Sequence, residues 1–334
     1  MKIAVIGTGS WGTSLAQVLC DNNHEVMMYG IEAQEIAELN DKHMNSKYFA
    51  GIRINEKIKA SLNLEACLEN AEAIVLVVPT KVTASLLKEI KPLLKKKVYF
   101  INASKGFDPA TNDRMSETIR AIIPQDLRYE VASIIGPSHA EEVIVRMYTA
   151  VCSVSLNNEV ALKVQKLFAN DYLRVYTLND EIGAECGVAI KNVLALCSGI
   201  ITGIGLGDNT RAALLTRGLH EMIRYGMMKG GKLDTYLGLT GIGDLIVTAT
   251  SEHSRNFQAG RRIGEEKTAA SVVNDTHTTI EGVRSCRVIY EDASENGLDL
   301  PIIGECYKIL FKGKNPVEAI KHLMARELKS ERVG

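Results

Sequence analysis

The chain begins MKIAVIGTGSWGTSLAQVLCDN, in which an apolar run breaks into Gly7-Thr8-Gly9-Ser10-Trp11-Gly12 and resumes with helical periodicity. A second apolar run, HEVMMYG, follows the helix-like segment. A G-x-G-x-x-G in this strand–turn–helix context constrains the fold more than any other feature of the sequence. Gly7 permits the tight turn, Gly9 lets the backbone approach a pyrophosphate, and Gly12 allows close helix–strand packing. The free N–H groups of the helix start then face the phosphates. The pattern predicts a dinucleotide site in preference to a plain strand–helix turn. Ser10 and Trp11 lie in the turn and should border the cofactor. Trp11, the sole tryptophan, has a second reading as a core anchor.

The rest of the first half repeats the alternation. AIVLVV, VYFIN, VASIIG and TAVCSVS are further strand candidates, and TSLAQVLCDN and TASLLKEIKPLL have helical periodicity between strands. Strands apolar on both faces and alternating with helices predict a parallel, doubly wound sheet. Beyond Asn179 strand-like runs give way to long helical stretches, among them GVAIKNVLALCSGIITG and NTRAALLTRGLHEMIRYGMM. The expected architecture is α/β: a doubly wound, Rossmann-like nucleotide domain over residues 1–179, then an all-α domain over 180–334 that binds substrate. No linker or repeat separates them, so close packing with a ligand cleft between the two is expected.

Several function classes are disfavoured. Net charge is -1, with basic residues scattered along the chain, which argues against nucleic-acid binding. No run approaches 18 uninterrupted apolar residues, so no membrane span is expected. Seven widely spaced cysteines without a C-x-x-C pair suggest reduced thiols. The N-terminus runs directly into a strand without a signal peptide. A cytoplasmic protein is expected.

At the end of the second strand an acid selects NAD through the ribose 2′-OH, whereas an arginine accommodates the 2′-phosphate of NADP. Glu32 lies 20 residues beyond Gly12, slightly past the strand end, and no arginine is near. This pattern gives a modest preference for NADH. Glu32 is equally readable as a carboxylate interacting with a helix N-terminus.

Loops after the carboxyl ends of strands line the ligand crevice of such sheets. Lys105, in NASKGF, can reach a phosphate or a carbonyl from that position, or be a surface lysine. Gly136-Pro137-Ser138-His139-Ala140 follows the next strand, and Ser138 there can cap a helix or touch a ligand. In the helical half, Asp244 follows two glycines as a helix cap or the partner of a buried cation. Ser254-Arg255-Asn256 groups hydroxyl, guanidinium and amide donors that suit a phosphate, although a solvated loop would look the same.

GVAIKNVLALCSGI places Lys191, beside Asn192, in an otherwise apolar helical run. A lysine there usually extends its head group to water. Its neighbours three, four and seven residues away are mostly small: Ala184, Gly187, Val188, Leu194, Ala195 and Ser198. That composition predicts a hollow around the ammonium, and a partly desolvated lysine can exchange a proton with a carbonyl oxygen.

The motifs GTGSWGTSLA, NASKG, GPSHAEE, GVAIKNVLAL, GDNTRAALLTRGL, TGIGDLIVTATSEHSRN and TIEGV resemble, in order, the NAD(P)-dependent glycerol-3-phosphate dehydrogenases of the bacterial type. The resemblance extends from Met1 to GKNPVEAI near the C-terminus. It implies NAD(P)H-dependent, reversible reduction of dihydroxyacetone phosphate to sn-glycerol 3-phosphate for phospholipid synthesis. A phosphorylated triose is the implied substrate, and a homodimer the implied assembly. Lys191 resembles the family's general acid/base. Lys105, Gly136, Ser138, Lys191, Asp244, Ser254, Arg255 and Asn256 correspond to the substrate set. Ser10, Trp11, Tyr48, Lys105, Ala140, Arg255 and Glu281 correspond to cofactor contacts, beside the turn glycines Gly7, Gly9 and Gly12. The departure is Ile31, where many members carry Arg or His. A β-hydroxyacid dehydrogenase of the same plan is the nearest rival; there an asparagine typically follows the lysine by one turn, and here that position is Ala195. A non-catalytic dinucleotide sensor is the other.

Overall fold

The computed structural model describes residues 1–275, 280–328 and 330–331. Of the motifs above, only TIEGV includes a residue outside them, Thr279. The chain forms two compact units, Met1–Glu181 and Ile182–Gly334.

The first unit is built on one eight-stranded sheet ordered β3-β2-β1-β4-β5-β6-β7-β8. Its strands are β1 (Lys2–Ile6), β2 (Glu25–Tyr29), β3 (Lys59–Ser61), β4 (Ala73–Leu76), β5 (Tyr99–Asn102), β6 (Ala132–Ile135), β7 (Thr149–Val154) and β8 (Leu173–Leu178). The six strands β1 to β6 are mutually parallel. Successive side chains of β1 point to opposite faces, and both faces are buried. Ile3 and Val5 join a core with Leu15, Val18 and Leu19 of the helix Ser10–Asp21 and with Val164 and Phe168 of Asn158–Phe168. Ala4 and Ile6 join a second core with Leu86, Leu87 and Ile90 of the helix Thr80–Ile90. Each such fully buried aliphatic side chain contributes roughly 1.5–3 kcal/mol, so an apolar strand covered on both sides by helices is the stable solution.

Two features depart from the expected sheet. β7 runs antiparallel to β6, and β8 pairs parallel with β7. The chain between β6 and β7 carries just the four-residue helix Ala140–Val143. Without a full crossover helix the strand returns antiparallel. The strands β3 and β8 were not expected, because neither carries a continuous apolar run: β8 alternates buried Leu173 and Val175 with exposed Arg174 and Tyr176.

The second unit contains no strand among its described residues. Its main helices are Glu181–Ile204, Asp208–Met228, Asp244–Thr250, Arg255–Glu266, Glu281–Glu295, Pro301–Lys312 and Pro316–Met324. Glu181–Ile204 is long and apolar enough to cross a bilayer by length and composition, yet 83% of its most apolar window is buried. It is a core helix. Its small residues serve backbone approach: a Cβ on Gly199 would lie 2.0 Å from the Phe257 carbonyl oxygen, and one on Gly260 would lie 2.0 Å from that of Leu196. All seven cysteines are buried free thiols.

Candidate active site

The glycine turn has the construction that its spacing predicts. Gly7 has φ +123°, and a Cβ there would meet the Val77 carbonyl oxygen at 2.4 Å. A Cβ on Gly12 would sit 2.2 Å from the Gly7 carbonyl oxygen, which locks helix against turn. At Gly9 a Cβ would meet nothing within 4 Å. The helix Ser10–Asp21 starts there without a side-chain cap, so its first N–H groups remain available to a phosphate. These residues fit a dinucleotide pyrophosphate.

Trp11 packs as a core anchor, one of its two sequence readings. Its ring packs on the core beneath the sheet, while its Nε1 is buried without a hydrogen-bond partner among the described residues. The Lys105 ammonium lies 5.8 Å from the ring centroid and makes no ion pair among the described residues. The loop that aims it is shaped locally. Asn102 Oδ1 accepts from the Ser104 N–H at 3.1 Å, and Ser104 Oγ donates to the Val78 carbonyl at 2.7 Å.

The loop after β6 also reaches this region. Gly136 has φ +153°, and a Cβ there would meet Val151 Cα at 2.9 Å. Ser138 does not cap a helix: its hydroxyl donates to the Gly136 carbonyl at 3.1 Å, and the short helix starts from His139. The Ala140 carbonyl accepts from Ser14 Oγ at 2.9 Å, which ties this loop to the helix of the glycine turn.

Glu32 is an exposed residue preceding the helix Ala33–Ala37 and makes no side-chain cap. The acid that engages the glycine turn is Glu35, one helical turn later. Its Oε2 accepts from Thr8 Oγ1 at 2.8 Å, and its Oε1 pairs with Lys47 Nζ at 2.5 Å. A cation is therefore present beside the second strand's end, contrary to the sequence reading. Asn45 is fully buried and donates to the Thr8 carbonyl at 2.8 Å and to Thr13 Oγ1 at 2.9 Å. It holds the segment bearing Lys47 and Tyr48 against the turn. Tyr48 is exposed, with the Lys47 ammonium 5.4 Å from its ring centroid. Extending the search for an acid by one helical turn would have found Glu35. Nothing in the local sequence singles out Asn45 or Lys47.

In the second unit, Lys191 is buried, and its ammonium forms an ion pair with Asp244. Its Nζ also contacts Thr248 Oγ1 at 3.2 Å, and that hydroxyl donates to the Asp244 carbonyl at 2.7 Å. Asp244 begins the helix Asp244–Thr250 directly after a π-helical turn, Leu239–Gly243. It is the partner of a buried cation, one of its two sequence readings. The expected hollow around Lys191 is a packed surface. Gly187 abuts the Thr240 carbonyl, and Ser198 Oγ donates to the Ala249 carbonyl at 2.6 Å. Small residues here let the segment carrying Asp244 and Thr248 come within reach of the lysine.

The Ser254-Arg255-Asn256 cluster divides by role. Ser254 caps the helix Arg255–Glu266 by accepting from the Phe257 N–H at 3.3 Å. Asn256 is a buried bridge: its Nδ2 donates to Asn192 Oδ1 at 3.0 Å, and its Oδ1 accepts from the Gly282 N–H at 2.9 Å. The second bond brings Glu281, first residue of the helix Glu281–Glu295, beside this group. Arg255 is exposed and has no hydrogen bond or ion pair among the described residues.

Comparison with known proteins agrees with this arrangement. The family described as NAD-dependent glycerol-3-phosphate dehydrogenase N-terminus matches residues 2–161, and its C-terminus counterpart matches residues 180–321. The glycerol-3-phosphate dehydrogenase [NAD(P)+] of Lactococcus lactis subsp. cremoris is 45% identical over 99% of this chain and 96% of its own length. That of Streptococcus uberis is 46% identical over 99% and 98%. The crystal structure of glycerol-3-phosphate dehydrogenase from Coxiella burnetii has a TM-score of 0.89 at 32% identity, covering 97% of this chain and 98% of that one. A D-mandelate dehydrogenase with NADH shares the fold at a TM-score of 0.60 and 14% identity. Matched in both halves, in order, and by relatives over nearly its whole length, the chain belongs to the NAD-dependent glycerol-3-phosphate dehydrogenase family.

Proposed function

We propose that this chain reduces dihydroxyacetone phosphate to sn-glycerol 3-phosphate, reversibly, with NADH or NADPH. The observation that carries the reading is the buried Lys191–Asp244 pair, since an ammonium so fully removed from water has no solvation role and is held in one place by its counter-ion. Residues 1–179 act as the nucleotide domain and 180–334 as the substrate domain. Gly7, Gly9, Ser10, Trp11 and Gly12 hold the dinucleotide, joined by Tyr48, Lys105, Ala140, Arg255 and Glu281. When bound, the nicotinamide supplies the hydride that reduces the ketone at C2.

The remaining chemistry belongs to the protein. Lys191 donates a proton to the ketone oxygen as negative charge develops on it and recovers one in the reverse direction. Asp244 and Thr248 fix the ammonium. Arg255 and Lys105, two cations without carboxylate partners among the described residues, bind the substrate phosphate and hold the ketone in one orientation. Gly136, Ser138, Ser254 and Asn256 complete the substrate set, and Asn192 holds the Asn256 amide in place. The product supplies glycerophospholipid synthesis, and the working form is a cytoplasmic homodimer.

The test is nicotinamide absorbance with dihydroxyacetone phosphate, using NADH and NADPH in parallel. Substrate-dependent oxidation of at least one is expected. Lys191→Ala should keep dinucleotide binding and lose turnover. Absence of oxidation with either cofactor would overturn the assignment, and near-normal kcat in Lys191→Ala would remove Lys191 from it.

A further inference from the structure

The Thr8–Glu35–Lys47 chain has no part in the roles above. In sheets of this kind the carboxyl end of β2 flanks the adenosine ribose, the part of the cofactor that distinguishes NAD from NADP. Here β2 ends at Tyr29 and Gly30 follows; a Cβ on Gly30 would lie 2.7 Å from Thr8 Oγ1, so Thr8 is seated on the strand end. Glu35 hangs from that hydroxyl with its side chain 10% exposed, whereas the Lys47 side chain is 57% exposed. The backbone below Lys47 is pinned to the glycine turn through Asn45. A buried carboxylate, bonded to Thr8, thus carries a largely solvent-exposed ammonium. Ile31, at the neighbouring position, is 78% exposed and offers no charge.

We propose that Glu35 and Lys47 form a charge gate at the adenosine ribose that lets this chain accept both cofactors. Glu35 accepts from the free 2′-hydroxyl of NADH. For NADPH, Lys47 leaves Glu35 and pairs with the 2′-phosphate. When Lys47 leaves, Glu35 keeps the hydrogen bond from Thr8 Oγ1, and a phosphate offers the ammonium more charge than a carboxylate does. The proposal rests on the assignment of the first unit to dinucleotide binding.

The test measures affinity, not turnover. Wild type, Lys47→Gln, Lys47→Arg and Glu35→Gln are titrated with NADH, NADPH, 5′-AMP and adenosine 2′,5′-bisphosphate. The readout is fluorescence of Trp11, the only tryptophan, with calorimetry as a second measure. Lys47→Gln should weaken NADPH and the bisphosphate by about tenfold or more relative to NADH and 5′-AMP, the scale of one charge-assisted hydrogen bond. Lys47→Arg should restore them, and Glu35→Gln should shift the preference the opposite way, toward NADPH. A merely structural ion pair would not give opposite signs for its two members. Equal losses for both cofactors, or unchanged ratios, in a wild type that binds dinucleotides would overturn the gate alone. A wild type that binds neither dinucleotide would overturn the dinucleotide assignment and the gate with it.

Discussion

Lys191 and Asp244 form an ion pair in which the two side chains are 2% and 1% exposed. Neither charge has water to fall back on, so removing one leaves the other buried without its counter-ion. Lys191→Met and Asp244→Asn should each destabilise the protein by about 3–5 kcal/mol. The double variant should cost clearly less than the sum, because it removes both charges together. Urea midpoints of the four proteins form the cycle. Turnover should be lost wherever Lys191 is replaced, including in the more stable double variant. That result would separate the catalytic role of the lysine from its structural one.

The turn glycines allow a second separation. Gly9→Ala adds a methyl group into open space at backbone angles open to alanine, φ -65° and ψ 176°. Gly12→Ala drives one into the Gly7 carbonyl. Gly9→Ala should keep the wild-type melting temperature and lose dinucleotide affinity by tenfold or more, roughly the effect of one lost close contact to a phosphate. Gly12→Ala should lower the melting temperature itself. Fluorescence titration and thermal melts check both. Unchanged affinity in Gly9→Ala would show that no ligand backbone approaches that glycine.

Neighbouring residues in the Ser254-Arg255-Asn256 segment should respond differently. Ser254→Ala deletes a helix cap and should cost about 1 kcal/mol of stability. Arg255→Ala removes an exposed guanidinium with no partner among the described residues. Its stability should stay within about 0.5 kcal/mol of wild type, while the KM for the phosphorylated substrate rises by at least about tenfold. Steady-state kinetics beside chemical denaturation distinguishes the two. A large stability loss in Arg255→Ala would mean that its side chain is structural.

What could be read in the sequence depended on the range of the interaction. The strands β1, β2, β4, β5, β6 and β7 are apolar runs and were legible, as was the glycine turn, whose motif lies within six residues. β8 was missed because one of its faces is solvated, and the reversal of β7 because strand direction depends on the connection. Lys191 stood out by composition, but its setting did not. The small residues around it suggested a hollow, whereas they admit a backbone that carries Asp244, 53 positions away. The same holds for Glu35, which was passed over for Glu32 because its value comes from Thr8, 27 residues earlier. Asn256 read as a phosphate donor, and the structure commits its amide to Asn192 and Gly282. For Glu35 and Asn256 the residue type was visible and the partner was not, whereas Asp244 was already readable as the partner of a buried cation.

Glu221 illustrates the same limit and gives a pH-dependent prediction. It lies buried in the helix Asp208–Met228 and accepts from the Ile302 N–H at 2.7 Å and the Ile303 N–H at 3.1 Å, capping the helix Pro301–Lys312 from a distance in sequence. Burial pushes its carboxyl up from 4.5 to about 7, and the two N–H bonds oppose that shift without cancelling it. The folded state therefore keeps a proton that the unfolded chain releases above pH 4.5. Its contribution to stability is fully present below that value and is lost as pH rises through about 7. The loss amounts to about 3 kcal/mol in all, at 1.36 kcal/mol per pH unit over the interval. Glu221→Gln cannot titrate, so the unfolding free energy of wild type minus that of the variant should fall between about pH 5 and 7.5 and level off above. Denaturation curves at half-unit pH intervals measure it. A flat difference would mean that the two N–H donors keep Glu221 ionised throughout, with the helix cap outweighing burial.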